Sequence, residues 1–170
     1  MKQLFLFAVL AFALLSCSGN KKQADVSNEI QTFELDDLLA AADREVDKTV
    51  TLIGLVTHTC KHSGQRCFIV GESQNVSFRV EAKGEIEQFT PELIGSKLAI
   101  TGILKEQHLS GETIDEMETN AKLQQQEQGM SESCEAELSN INDMRKWMKD
   151  HNKDYYVIYY MDGLKFEVLD

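Results

Sequence analysis

Two imidazoles and two thiols fall within one short stretch, Thr57 to Cys67, which reads T-H-T-C-K-H-S-G-Q-R-C. His58, Cys60, His62 and Cys67 are half of the chain's four histidines and half of its four cysteines. Thiolate and imidazole are the donors that zinc and copper(I) prefer, and four of them converging would make a tetrahedral shell. The same two cysteines, set opposite each other across a hairpin, could instead form a clamping disulfide. A third reading is inert: histidines on a strand rim and thiols that only pack. Thiol–disulfide exchange by Cys60 and Cys67 ranks last, because no C-x-x-C pair opens a helix here.

What must position these groups is a hairpin. Val50-Thr51-Leu52-Ile53-Gly54-Leu55-Val56 precedes the stretch and Phe68-Ile69-Val70 follows it. Both runs are apolar and β-branched, and Ser63-Gly64 suits a two-residue turn because glycine adopts positive φ freely. A turn centred there sets Cys60 opposite Cys67 and His58 opposite Ile69. Alternation along the strand puts His58, Cys60 and His62 on one face, and cross-strand pairing adds Cys67. The expected site is therefore His58, Cys60, His62 and Cys67 on one patch of sheet, with zinc or copper the fitting metal. The same donors would suit a metal-bearing ligand such as haem. Oxidation to a Cys60–Cys67 disulfide would remove both thiolate ligands, so the two states could alternate.

The N-terminus addresses location. Lys2 is followed by an apolar run, Leu4 to Leu15, of signal-peptide length and too short to span a membrane. It ends in Leu14-Leu15-Ser16-Cys17, which resembles a bacterial lipobox. The resemblance implies cleavage before Cys17 and a lipid on its sulfur. Residues 1–16 are then the signal peptide, 17–31 a polar lipidated tether and 32–170 a single domain beside a membrane.

The 170 residues carry a formal charge of −11. Loss of Lys2 with the signal peptide leaves 16 basic residues against 28 acidic, or −12. Such a surface repels phosphate backbones and argues against nucleic acid as a ligand. Cations, and a protein partner in the envelope, fit it better. With Cys17 lipidated, Cys60, Cys67 and Cys134 remain, an odd number for an oxidising compartment.

Along the chain, Leu35, Leu38, Leu39 and Ala42 have helical spacing. Strands are expected at about 49–62, with Gly54 marking a bulge or sharp coil, then at Cys67–Val70, Val76–Val80 and Leu98–Leu104. Glu85–Phe89 reads as a short helical connector that Pro91 interrupts. The stretch from Ile114 to Gln128 reads as an exposed helix ended by Gly129. Ser131 caps a second helix to about Lys149, with Leu138, Ile141, Met144 or Arg145, and Met148 as its apolar stripe. Tyr155–Met161 is a strand, and Asp162-Gly163 suggests a type I′ hairpin to Leu164–Leu169.

Three strands, a short helix, a fourth strand and a later fifth is the order of an OB-fold. The expected architecture is a β-barrel with added helices (α+β), five-stranded and OB-like, with a helical insertion at about 114–150. The alternative is a half-barrel with a helical appendage. Thr49–Asp115 resembles the bacterial OB-fold (tRNA-anti-like) modules of small Bacteroidota lipoproteins. Gly54, Val56, His58, Cys60, His62, Gly64, Cys67 and Phe68 match their G-x-V-x-H-x-C-x-H-x-G-x-x-C-F hairpin. The resemblance implies fold and envelope location. The tract after Cys17 lacks the acidic run associated with surface export in that group, which points to the periplasmic face.

Cys134 falls at the third position of the Ser131-capped helix, where the helix dipole lowers a thiol pKa, so it is a candidate accessory thiol. His108 and His151 stand apart as surface residues. The four tyrosines 155, 156, 159 and 160 alternate in pairs across a strand and suit core and rim packing. No catalytic triad order or phosphate loop is present. The expected function is a lipid-anchored, non-enzymatic metal-binding module. The alternatives are a structural or interaction lipoprotein with a clamped hairpin and a thiol–disulfide redox protein.

Overall fold

The computed structural model describes residues 30–74, 76–129 and 131–169. Residues 1–16, read above as a signal peptide, Cys17 and nearly all of the expected tether lie outside the described residues. The elements are β1 (Thr32–Glu34), α1 (Leu35–Glu45), β2 (Thr49–Thr59), β3 (Arg66–Val70), β4 (Phe78–Ala82), β5 (Lys97–Ser110), α2 (Gly111–Gln128), α3 (Glu132–Asp150) and β6 (Tyr155–Leu169). A single 3-10 turn, Pro91–Leu93, precedes β5.

β2 pairs antiparallel with β5 through its first half and with β3 through its second. β3 pairs antiparallel with β4, β4 parallel with β6, and β6 antiparallel with β5, which closes the ring. This is the five-stranded barrel of the OB type, with β1 added as an edge strand on β2. Closure excludes the half-barrel.

One strand can serve two neighbours only if it coils sharply. Gly54 lies where β2 passes from β5 to β3. A Cβ there would sit 3.1 Å from the Val70 carbonyl oxygen and 3.2 Å from Ile69 Cδ1. The absent side chain is what lets the strands approach.

Inward residues of β2–β6, among them Val50, Leu52, Val56, Ile69, Phe78, Val80, Leu98, Ile100, Leu104 and Met161, form one core. α1 lays Leu35, Leu38 and Ala42 into it, at the helical spacing read from the sequence. A second, smaller core of Ile114, Ala121 and Ile141 joins α2 to α3, and Leu109 and Tyr156 of the β5–β6 ribbon pack against it. The helical insertion thus stands where expected, between β5 and β6, and Ser131 caps α3 by accepting from the Cys134 amide at 3.3 Å. Ser110 caps α2 in the same way, accepting from the Thr113 amide at 3.2 Å.

Four local expectations are corrected. β2 stops at Thr59 rather than about His62, because the chain bends at Cys60–Gly64. Residues 85–89 make no helix. The Glu85 amide donates to the Leu164 carbonyl and the Phe89 amide to the Gly64 carbonyl, so tertiary partners take the bonds a helix would need. Pro91 opens the 3-10 turn instead of ending a helix. Asp162-Gly163 is not a turn. β6 runs straight through it, with the register of β5 shifting at Thr101/Gly102. Glycine is needed at 163 for packing, since a Cβ there would meet Val80 Cγ1 at 2.8 Å.

Candidate functional site

The hairpin β2–β3 forms, but a β-bulge between Val56 and His58 resets its register. Val56 pairs with Ile69, whereas His58 pairs with Phe68 and Thr59 with Cys67. The sequence reading set Cys60 opposite Cys67, one residue away from what is observed. A slip of one residue exchanges the two faces of a strand. Before the bulge the even positions Val50, Leu52 and Val56 point inward. After it Thr59 points inward, 2% exposed, and His58 is exposed on the outside. The bulge is thus the device that turns His58 out of the barrel wall.

Cys67 goes the other way. It is completely buried among the barrel's core side chains, and burial pushes its thiol up to about 12. The expectation that Cys67 shares one face with His58, Cys60 and His62 is corrected: Cys67 faces the core, whereas the other three line the outside of the wall. Cys60, Cys67 and Cys134 are all free thiols.

The remaining three donors stay together. His58, Cys60 and His62 line one open recess of about 430 Å³, with Lys61, Arg66 and Phe68 completing its wall. The His58 and Phe68 rings lie 5.9 Å apart at their centroids. A second cavity, of about 140 Å³, flanks the same loop and is lined by Cys60, Lys61, His62, Gln88 and Phe89 among others. Among the described residues, no three His, Cys, Asp or Glu side chains are already gathered tightly enough to hold a metal. Another recess, of about 610 Å³, is lined by Ile30, Gln31, Glu45, Asp47, Lys48, Thr49 and Val50. Its described lining carries Glu45, Asp47 and Lys48 but neither histidine nor cysteine.

The loop carrying the donors is braced. The Gly64 amide donates to the Cys60 carbonyl at 2.8 Å, and the Cys60 amide to the Arg66 carbonyl at 2.9 Å. The Gly64 carbonyl accepts from the Phe89 amide at 2.7 Å, and the Gln65 side-chain amide donates to the Glu87 carbonyl at 2.9 Å. Gly64 has φ of +62°, and a Cβ on it would meet Gln88 Cβ at 2.9 Å. The glycine is required there twice over. The turn is wider than the two-residue one expected, but Gly64 supplies the positive φ as anticipated.

The environment of Cys60 favours its anion. The Ser63 hydroxyl donates to Sγ at 3.4 Å. That bond, with the backbone amides of Ser63 and His62 and the charge of Arg66, lowers the Cys60 pKa to about 7. No sequence signal pointed to Ser63 or Arg66. Their roles depend on the turn that folds them back on the sulfur.

Cys134 is elsewhere. It occupies the third position of α3 as read, but it is 3% exposed and its thiol donates to the Ala121 carbonyl at 3.3 Å in the seam between α2 and α3. It packs the helical hairpin of α2 and α3, apart from the residues that line the recess. His108 stacks on Tyr155 at 4.0 Å and His151 on Trp147 at 4.1 Å, both away from the recess. Tyr159 donates to the Asp43 carboxylate, Tyr160 lies under the Arg79 guanidinium, and Tyr156 joins the small core.

The chain matches no known family profile and no curated protein. Among solved structures it is similar to a Leishmania major Friedlin protein provisionally assigned as an aspartyl-tRNA synthetase, at 13% identity and a TM-score of 0.39. That likeness covers 86% of this chain and 22% of the other, so the chain spans about a fifth of that protein's length.

Proposed function

We propose that this chain is a lipid-anchored, non-enzymatic envelope module that binds one soft transition-metal ion, copper(I) or zinc, at His58, Cys60 and His62. The observation that carries the reading is that these three donors line a single recess outside the barrel wall. A metal needs the thiolate, and the hydrogen bonds at Cys60 hold its pKa near neutrality. His58 and His62 are exposed. Exposed side chains change rotamer within nanoseconds, so the imidazoles can close on an ion bound at Cys60 without moving the barrel. The acidic chain favours a cationic ligand over an anionic one. The anchor rests on the Leu14–Cys17 motif, and the periplasmic face on the residues that follow it.

We favour this reading over the structural and the redox ones because Cys67 packs inside the barrel while Cys60 lines the outer recess. The test is metal content by native mass spectrometry after reduction and loading with zinc or copper(I). One ion per chain that disappears in Cys60→Ser and weakens at least tenfold in His58→Ala supports the proposal. No retained ion, or retention indifferent to both substitutions, overturns it.

A further inference from the structure

We infer that this metal site has an open coordination position and works by exchange, passing its ion to a thiol-bearing acceptor that docks at the hairpin recess. The inference rests on the three-donor reading above, and four observations carry it further.

The first is the count of donors. Structural zinc sites are closed by four protein ligands, whereas sites that must admit another group keep a position free. The fourth group in the sequence, Cys67, shares the inward face of β3 with Ile69 and is buried in the core. The second is that the recess lies apart from the apolar core. Structural metal sites supply folding energy to chains that cannot otherwise bury a core. Here the barrel closes on its own apolar side chains, and the recess lies outside them.

The third observation is access. Cys60, Lys61 and His62 line cavities on both flanks of the loop, so an entering ligand can reach an ion on Cys60 while the imidazoles still hold it. The loop itself is pinned through Gly64, Gln65 and Phe89 and keeps the donors presented during exchange. The fourth is charge. On a chain of formal charge −11, Lys61 and Arg66 place positive charge at the wall of this recess. An incoming thiolate is the acceptor such a rim suits.

The step balances as ligand exchange. The acceptor's sulfur bonds to the ion, the Cys60–metal bond breaks with its electron pair staying on sulfur, and the two imidazoles dissociate. No electron is transferred and the ion keeps its charge.

The test uses the full chain loaded with one equivalent of zinc and mixed in a stopped-flow instrument with a chromophoric pyridylazo chelator, then with reduced glutathione as acceptor. An observed transfer rate that rises about in proportion to acceptor concentration is the expected result, because entry precedes release. Lys61→Glu should slow transfer to glutathione several-fold at low salt, with the difference vanishing at high salt. A rate that does not depend on acceptor concentration means that the ion leaves a closed site unaided, and it overturns the exchange inference while the binding proposal stands. Failure to load zinc or copper(I) at all overturns both.

Discussion

Cys60 and Cys67 are chemically opposite although one short turn joins them. Hydrogen bonds draw the first thiol down to about 7, and burial pushes the second up to about 12. In a Cys17→Ser chain, alkylation by iodoacetamide should therefore titrate one fast thiol with a midpoint near pH 7. The rate rises as pH passes upward through the Cys60 value, because only the thiolate reacts. Ser63→Ala should shift that midpoint upward, toward the ordinary thiol value of 9.0. Cys67 and Cys134 should react only on unfolding. A native midpoint near 9, or two fast thiols, would contradict this account of the residues. Gly64→Ala meets both a left-handed backbone and a 2.9 Å approach to Gln88. It should cost about 1–3 kcal/mol in urea unfolding and blur the alkylation midpoint as the loop loosens.

At the level of elements, alternation made the four residues of the hairpin legible as a cluster, and alternation also misled. A period of two carries no mark for an inserted residue, so the bulge at Val56/His58 was invisible, and with it the outward turn of His58 and the inward turn of Thr59. Cys67 faces inward through the alternation of β3, on the face of Ile69. Gly54 had suggested irregularity in β2, but it marks a close strand crossing, and the bulge falls further along. Asp162-Gly163 failed for a related reason: the glycine is dictated by Val80, a contact distant in sequence. Caps and helical stripes fared better because they are local, as Ser131 and Ile141 show. Deletion of Thr57 should remove the extra residue and leave a regular strand in which Val56 and Thr59 still point inward and His58 and Cys60 outward, each with its present partner. Fast alkylation of Cys60 at pH 7 should therefore survive the deletion. A tenfold fall would mean that Thr57 is not the extra residue. The α2–α3 hairpin makes a separate test. Ile141→Ala, at a site 1% exposed in the smaller core, should cost about 2–5 kcal/mol. Hydrogen exchange should place that loss in the helices and leave the Cys60 midpoint where it was.

Taken whole, the molecule is an OB-type barrel that carries its candidate site on the hairpin of its first two barrel strands and a helical hairpin between its last two. The strand order was readable because five β-prone runs and one long polar interval can close in few ways. The ion-binding proposal depends on three donors outside the wall and excludes the fourth inside it. Cadmium titration of the reduced chain separates these cleanly, since each bound thiolate contributes an ultraviolet charge-transfer band. The account predicts one ion per chain with the intensity of a single thiolate, kept in Cys67→Ala and abolished in Cys60→Ser. A band of two thiolates, or one that survives Cys60→Ser and vanishes in Cys67→Ala, would contradict it.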